Sequence, residues 1–195
     1  MVKMDKKPVI IENFMSQEDV KVFIDYMDKN EGWFKGTTDN AIFNMYTGRD
    51  NFHDFETKLD DPKFDEIRSL IVHYSNKIEN AIKEKFLVDH SLYLSQFWMT
   101  KRLPSVAGKF HNDNDDGINY QIKYSGIIYL NTMDVGGELC FPRIKYTYHP
   151  KSGDIVLFDS HDKDFLHGVS SSRITRYALP IWITDIKEYA LIDGL

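Results

Sequence analysis

Five short β-rich runs in the second half of the chain decide the fold, and they read LYLSQFWM (92–99), YSGIIYL (124–130), ELCF (138–141), DIVLF (154–158) and YALPIWIT (177–184). Turns rich in Gly, Asn, Asp and Pro separate these runs, which is the pattern of short antiparallel strands. Apolar residues recur at helical spacing from about Gln17 to Asn30 and again between Asp61 and Phe86. We therefore predict an α+β fold, in which two N-terminal helices pack on one sheet of a barrel or a double-sheet jelly roll.

The size and composition of the chain predict a single domain with a packed core, because it has 195 residues of which 42% are hydrophobic. We expect one domain over residues 1–195, with helical support over about residues 16–86 and the jelly-roll core over about residues 91–185. The net charge is −6 and no basic stretch is present. Nucleic acid is therefore not an expected partner, since it binds positively charged surfaces.

The chain has a single cysteine, Cys140, so no internal disulfide can form. Cys140 lies in the alternating stretch 137–142, which is typical of a buried structural cysteine, and we assign it no chemistry. Neither a signal-like segment nor a long apolar run is found. We therefore expect a cytoplasmic protein without a membrane span.

A His-x-Asp motif ends the segment GKFHND (108–113). Residues two apart in an extended segment project from the same face, so the imidazole of His111 and the carboxylate of Asp113 are expected to point together. His167, which follows the strand-turn-strand unit 151–166, offers a second imidazole. Two histidines and one carboxylate can hold a metal such as iron(II) and leave three coordination positions open.

Arg176 lies nine residues beyond His167 and directly before the apolar sequence YALPIW (177–182). An arginine that faces a barrel interior needs an anionic partner, because a buried unpaired guanidinium is unfavourable. A dicarboxylate would satisfy its planar guanidinium with two parallel hydrogen bonds. The ordered set of His-x-Asp, His and Arg is therefore more specific than His-x-Asp alone.

Several ordered motifs resemble the prolyl 4-hydroxylase-like branch of the iron(II)/2-oxoglutarate-dependent oxygenase superfamily. They are VIIENF (9–14), YLN (129–131), GGEL and FP (136–142), PKSGDIVLF (150–158), HGV (167–169) and RYAL (176–179). The resemblance covers most of the chain. It implies a double-stranded β-helix core and a dioxygenase that converts 2-oxoglutarate to succinate while it hydroxylates a prolyl residue in a peptide or protein.

The resemblance also implies a role for each candidate site residue. Three residues would hold Fe(II) at the catalytic centre, with O2 as a co-substrate: His111, Asp113 and His167. Arg176 would bind the distal carboxylate of 2-oxoglutarate with help from Tyr129, although a core aromatic is an equally good interpretation of Tyr129. Trp182 would bind substrate near the target residue, with a core tryptophan as the alternative. Ascorbate is a further candidate cofactor.

Two departures from the family pattern bear on the subclass. Many prolyl 4-hydroxylases carry a lysine at about the place of Arg176, whereas an arginine there is more similar to the oxygen-sensing prolyl hydroxylases and their bacterial relatives. The family also often has a tyrosine shortly before His-x-Asp, and this chain has none there. Tyr93 or Gln96 on the preceding strand could take over its contact.

The expected partner is a peptide or protein that contains proline, without nucleic acid or membrane, and the oligomeric state stays open. The acidic run 113–116 and the loop 32–55 would border the mouth of the site, and excess carboxylates there favour a basic peptide. The first alternative is the same chemistry on another side chain or a small molecule. The second is a non-catalytic cupin-like binding protein, because a fold does not imply a function.

Two other classes fit less well. A zinc hydrolase is disfavoured because the chain has neither a His-Glu-x-x-His motif nor paired cysteines. The negative charge disfavours a nucleic-acid demethylase of the same superfamily. His149 and His161 are alternative metal ligands, but they lie in turn and loop sequences that are typical of solvated histidines.

Overall fold

The computed structural model describes residues 6–29, 34–35, 42–47, 62–114 and 119–191. In these ranges the helices are α1 (Gln17–Lys29) and α2 (Pro62–Phe86). The strands are β1 (Val9–Ile11), β2 (Phe34–Lys35), β3 (Ile42–Thr47), β4 (Tyr93–Arg102), β5 (Tyr124–Tyr129), β6 (Leu139–Phe141), β7 (Tyr146–Tyr148), β8 (Ile155–Asp159), β9 (Gly168–Val169) and β10 (Arg176–Thr184). Short 3-10 turns of helix span Pro142–Ile144, Lys163–Phe165 and Lys187–Tyr189.

Helix α1 begins directly after a capping serine. The Ser16 hydroxyl oxygen accepts a hydrogen bond from the backbone N–H of Asp19 (3.1 Å), which satisfies a donor that the first helical turn leaves free. Helix α2 begins at Pro62, where a proline is tolerated because its missing N–H has no partner in the first turn. The helix over 17–30 and the helix between 61 and 86 are both confirmed to within a residue.

Both helices bury their apolar stripes against the larger of two sheets. Fully buried helix residues include Phe23, Met27, Ile67, Ile71 and Ile82, and they share one core cluster with Phe97, Leu157, Leu179 and Ile181 of the strands. Each such side chain contributes about 1.5–3 kcal/mol when it leaves water. The N-terminal helices therefore pack on one sheet, as predicted.

The strands form two antiparallel sheets. The larger sheet has the order β1-β8-β5-β10-β4-β3-β2, and the smaller has the order β7-β6-β9. Every strand pair is antiparallel. Helices on one side of antiparallel sheets confirm the predicted α+β class.

A second core cluster lies where the two sheets face each other. It joins Tyr129, Val156, Phe158 and Ala178 of the larger sheet to Leu139, Phe141 and Tyr148 of the smaller one. Side chains alternate along a strand, so Arg176 shares the face of β10 that carries Ala178, while Leu179 and Ile181 face the helices. This alternation places the basic residue in the interior between the sheets.

Strand β4 runs three residues further than the sequence predicts, because pairing with β10 continues to Arg102. Within the loop predicted over 32–55, two short strands are described, and the remainder lies outside the described residues. No helix in the described ranges is long and apolar enough to cross a membrane.

Candidate metal and co-substrate site

The two candidate histidines are brought together by a short antiparallel ladder at the edge of the smaller sheet. The backbone N–H of His111 donates to the carbonyl of His167, and the N–H of His167 donates to the carbonyl of His111, both at 2.9 Å. Gly108 N–H adds a bond to the carbonyl of Val169 (2.7 Å). Directly opposed residues in such a ladder project their side chains to the same face, and the two imidazole centroids lie 4.5 Å apart.

Asp113 completes a cluster with these imidazoles. His111 Nε2 lies 3.2 Å from Asp113 Oδ1, and His167 Nε2 lies 3.8 Å from Asp113 Oδ2. One ligand atom from each of the three residues falls within 4.8 Å of the others. The predicted His-x-Asp pair and the distant His167 are thus brought to one place, with a geometry that can hold a metal ion.

Both imidazoles are oriented by their own backbone. Nδ1 of His111 lies 3.0 Å from the carbonyl oxygen of Lys109, and Nδ1 of His167 lies 3.0 Å from that of Phe165. A carbonyl oxygen only accepts, so each Nδ1 carries a hydrogen, and each Nε2 is the ring atom that faces the cluster and can bind a metal once it is deprotonated. Hydrogen bonds of this kind hold histidine ligands in the correct tautomer at metal sites.

Burial, hydrogen bonding and neighbouring charges act in opposite directions on the pKa values of the clustered residues. Burial would raise the pKa of Asp113, but the hydrogen bond with His111 and the nearby imidazoles hold this pKa below its usual range. The hydrogen bond with Asp113 raises the pKa of His111, against the effect of burial. Burial lowers the pKa of His167. Asp113 is therefore a carboxylate at neutral pH and His167 is a neutral imidazole, which are the forms that bind metals.

Arg176 is deeply buried at the start of β10, with 4% of its surface exposed. Among the described residues its Nε and Nη1 atoms have no hydrogen-bond partner, and the Tyr129 hydroxyl has none there either. The guanidinium carbon lies 5.8 Å from the Tyr129 ring centroid. Burial lowers the pKa of Arg176 and raises that of Tyr129 to about 12. Buried donors without partners indicate that an anion completes this part of the interior.

Trp182 lies on the same face of β10 as Arg176, near the opposite end of the strand. It is directly opposite Ser125 of β5, and Ser125 helps to hold the pKa of Asp113 down, so Trp182 lies on the metal-binding side of the interior. Its ring is packed at 4.7 Å, edge to face, against Trp98. The placement agrees with both interpretations of Trp182, near a target residue or in the core.

The sequence interpretation did not single out Arg102. Tyr93 and Gln96 lie opposite Thr184 and Trp182, whereas Arg102 is the β4 residue directly opposite Arg176. A pairing register between strands 74 residues apart along the chain leaves no local signal.

The remaining candidates lie outside the cluster. His161 is exposed and 2.8 Å from the amide nitrogen of Asn114, and His149 is exposed beside Glu138. Cys140 is half-buried with a free thiol, so it is less buried than the alternating sequence predicted. These positions agree with the solvated roles expected for the two histidines.

Comparison with known proteins finds a family model that matches the β-rich region. Residues 97–184 match the family model described as 2OG-Fe(II) oxygenase superfamily. No curated protein sequence matches the chain.

Solved prolyl hydroxylases have a similar fold. The viral collagen prolyl hydroxylase of Paramecium Bursaria Chlorella virus-1, in its 2OG complex, has a TM-score of 0.64 at 16% identity over 93% of this chain and 97% of that chain. A prolyl-4-hydroxylase of Pseudomonas putida has a TM-score of 0.64 at 15% identity over 91% of each chain. A Trichoplax adhaerens prolyl hydroxylase, in complex with a hypoxia inducible factor oxygen degradation domain peptide fragment, has a TM-score of 0.70 at 20% identity over 96% of this chain and 87% of that chain.

At these identities the structural comparisons establish a shared fold, and the family model covers the strands that carry the metal-binding cluster and Arg176. The resemblance seen in the sequence motifs is thereby confirmed. Residues 97–184 of this chain match the model of the 2OG-Fe(II) oxygenase superfamily, and the chain has a fold similar to that of prolyl 4-hydroxylases.

Proposed function

We propose that this protein is an Fe(II)- and 2-oxoglutarate-dependent dioxygenase that hydroxylates a prolyl residue in a peptide or protein. The observation that carries the proposal is the cluster of His111, Asp113 and His167, which shares an interior with the buried guanidinium of Arg176. This arrangement suits a 2-oxo acid that carries a second carboxylate. The 2-oxo acid group can chelate the metal, and the second carboxylate can pair with the guanidinium of Arg176.

In this proposal the three clustered residues hold Fe(II). Their donor set of two imidazole nitrogens and a carboxylate oxygen suits Fe(II) and leaves three positions open for a chelating acid and O2. The carbonyls of Lys109 and Phe165 fix both imidazoles before metal binds, so little reorganisation accompanies binding.

When bound, Fe(II) supplies the activation of O2, so that one oxygen atom enters succinate as CO2 leaves 2-oxoglutarate and the other enters a substrate C–H bond. The side chains of this protein bind, orient and shield the reactants. Arg176 and Tyr129 bind the distal carboxylate in a buried position. Phe141 and Phe158 pack against the His167 ring at centroid distances of 5.8 and 4.8 Å, which keeps water from that side of the metal site.

The substrate is proposed to approach from the side of His111. The His111 side chain is 54% exposed, whereas those of Asp113 and His167 are buried. Phe110 is exposed next to His111 and offers an apolar surface to a peptide. The solved relatives that support a prolyl substrate are prolyl hydroxylases, and the Trichoplax adhaerens structure is a complex with a peptide fragment.

Several further parts of the interpretation are proposals as well. We propose that the two sheets form a double-stranded β-helix within one domain of residues 1–195, which is supported by the core cluster between them. Preference for a basic peptide rests on the acidic run 113–116, of which Asp115 and Asp116 lie outside the described residues. Ascorbate as a reductant and a cytoplasmic location remain predictions.

The experiment that tests the prolyl substrate uses peptides of equal length with one proline in basic, neutral or acidic surroundings, each paired with a Pro→Ala peptide. The protein is incubated with Fe(II), 2-oxoglutarate and O2, with and without ascorbate, and tandem mass spectrometry locates any added oxygen. We expect one oxygen atom on the proline, none with the alanine peptides and none with the His167→Ala variant. His149→Ala is the matched control, because His149 is exposed outside the cluster, and it should retain activity.

The alternatives give different results. Oxygen gained at another residue, or succinate formed only with added small molecules, would favour the same chemistry on a different substrate. Metal and 2-oxoglutarate binding without any turnover would favour a cupin-like binding protein.

A further inference from the structure

A second arginine lies across the sheet from Arg176. Arg102 is the last residue of β4, and it is the direct register partner of Arg176 on β10. Opposed residues in an antiparallel pair project to the same face, with Cβ atoms about 4.5–5.5 Å apart. Arg102 therefore faces the same interior as Arg176, on the side of the proposed co-substrate.

The position of the Arg102 guanidinium can be traced from its neighbours. A Cβ atom added to Gly108 would lie 2.5 Å from Arg102 Nη1 and 3.4 Å from Cζ, so the guanidinium lies against the Gly108 backbone. Gly108 is three residues before His111 in the ladder that brings the metal-binding cluster together. The Arg102 guanidinium is thus close to both Arg176 and the metal-binding side.

The electrostatic environment agrees with this placement. The pKa of Tyr129 is raised chiefly by burial, while the charges of Arg176 and Arg102 oppose the rise. The charge of Arg102 therefore acts on the aromatic neighbour of Arg176.

Arg176 is buried, and its Nε and Nη1 atoms find no hydrogen-bond partner in the part of the chain that the structure describes, so an anion is needed to satisfy them. Because Arg102 projects to the same face directly opposite Arg176, an anion bound there could accept hydrogen bonds from both guanidinium groups. We propose that Arg102 is a second cationic contact for the distal carboxylate of 2-oxoglutarate, shared with Arg176, an inference that rests on the proposed function. Gly108 supports this contact because it leaves space for the Arg102 guanidinium.

Two cationic contacts on one carboxylate have a consequence for specificity. The pocket selects 2-oxo acids that carry a second carboxylate, because an uncharged tail would leave the buried guanidinium of Arg176 without an anionic partner among the described residues. The planar guanidinium contributes directional hydrogen bonds that a lysine ammonium cannot reproduce.

The inference is tested by isothermal titration of 2-oxoglutarate into protein loaded with Mn²⁺ in place of iron, so that binding is measured without turnover. We expect Arg102→Gln to raise the Kd by about 10- to 100-fold, the range of a charge-assisted hydrogen bond. Arg102→Lys should raise it less. Gly108→Ala should also raise it, because the added methyl displaces the guanidinium without removing its charge. Arg173→Gln, which removes an exposed charge, should leave it unchanged.

A double variant, Arg102→Gln with Arg176→Gln, tests whether the two arginines share one carboxylate. If the two arginines share one carboxylate, the fold-increase in the Kd of the double variant should be well below the product of the two single fold-increases, because either substitution already disrupts the common site. A fold-increase equal to the product of the two single fold-increases would overturn the shared contact. Thermal unfolding of each variant establishes that the compared proteins are folded.

Failure of the inference differs from failure of the proposed function. If wild type binds 2-oxoglutarate and Arg176→Gln weakens binding, while Arg102→Gln and Gly108→Ala leave it unchanged, the role of Arg102 is overturned and the proposed function stands. If Mn²⁺-loaded wild type does not bind 2-oxoglutarate at all, the proposed function fails and the role of Arg102 fails with it.

Discussion

His111 and His167 exchange two backbone hydrogen bonds of 2.9 Å across a single bridge, although 55 residues separate them in sequence. The bridge fixes both backbones, and a carbonyl two residues before each histidine fixes each ring. Only the carboxylate of Asp113 then has to be added to form the metal-binding cluster. The site is thus built by sheet pairing, which is why its residues can be oriented before a metal binds.

Metal affinity should depend strongly on Asp113. Asp113→Asn keeps the shape of the side chain but removes the only negative charge among the three clustered residues. We expect the affinity for Mn²⁺ or Fe(II) to fall by at least about 100-fold, since loss of a mere supporting hydrogen bond already reduces metal affinity 10- to 100-fold. Anaerobic titration calorimetry measures the affinity. His161→Ala, which changes an exposed loop residue, is the control and should bind metal as tightly as wild type does. If Asp113→Asn also bound metal as tightly as wild type, the cluster would be excluded as the metal site.

Arg176 should lower the stability of the protein when no anion is bound. Arg176→Met replaces a buried guanidinium, whose Nε and Nη1 atoms have no partner within the described ranges, with an apolar side chain of similar length. We expect a gain of about 1–2 kcal/mol in the free energy of unfolding, or roughly 2–8 °C in Tm, for the protein without 2-oxoglutarate. Differential scanning calorimetry with and without 2-oxoglutarate measures both states. Added 2-oxoglutarate should raise the Tm of wild type and not that of the variant, and the opposite pattern would contradict the anion-binding role.

Gly136 should be required for the turn that closes against residue 172. Its φ of +77° is unfavourable for residues with a Cβ, and an added Cβ would lie 2.1 Å from the Ser171 carbonyl oxygen. We expect Gly136→Ala to reduce stability by more than about 1 kcal/mol, because backbone strain and the contact with Ser171 add together. Urea unfolding measures the change. Asp134→Ala, at an exposed position of the same loop, is the control, and an equal effect of both substitutions would refute the turn geometry.

The contact between α1 and the start of β10 should make a small pH-dependent contribution to stability. Lys101 and the Tyr177 hydroxyl both donate to Asp28, at 2.5 and 2.7 Å. Although burial acts to raise it, the pKa of Asp28 is lowered by these partners. A lowered pKa in the folded state stabilises the protein above the unfolded-state pKa of the carboxyl, and this contribution is lost as the pH falls through the folded-state value.

Asp28→Asn should therefore destabilise the protein at pH 7 and have a smaller effect at a lower pH, nearer the pKa of the carboxyl, where more of Asp28 is protonated in wild type as well. Because both side chains of the ion pair are partly exposed, we expect a loss of only a few tenths of a kcal/mol at pH 7. Urea unfolding at the two pH values measures it. A loss of the same size at both would show that the effect comes from shape and not from charge.

Local patterns in the sequence were sufficient for the elements and for the identity of the clustered residues. Helical spacing and a serine cap predicted α1, and a His-x-Asp motif predicted a pair of neighbouring side chains. The pairing of distant strands could not be predicted from the sequence, because register depends on contacts between residues that are far apart along the chain. Arg102 shows the effect: it lies beyond the strand predicted over 92–99, whereas its pairing with Arg176 places it on the interior face of the sheet. The loop 32–55 and Asp115 and Asp116 remain predictions at the mouth of the site.

The most direct test of the central claim is the formation of succinate from 2-oxoglutarate in air, with Fe(II) added and in the presence of proline-containing peptides. Wild type should form succinate only when Fe(II) and O2 are both supplied, His149→Ala should match it, and His167→Ala should form none. Absence of Fe(II)-dependent succinate from folded wild type with every peptide, or equal succinate from wild type and His167→Ala, would contradict the claim that His111, Asp113 and His167 form the catalytic iron site of a 2-oxoglutarate-dependent dioxygenase.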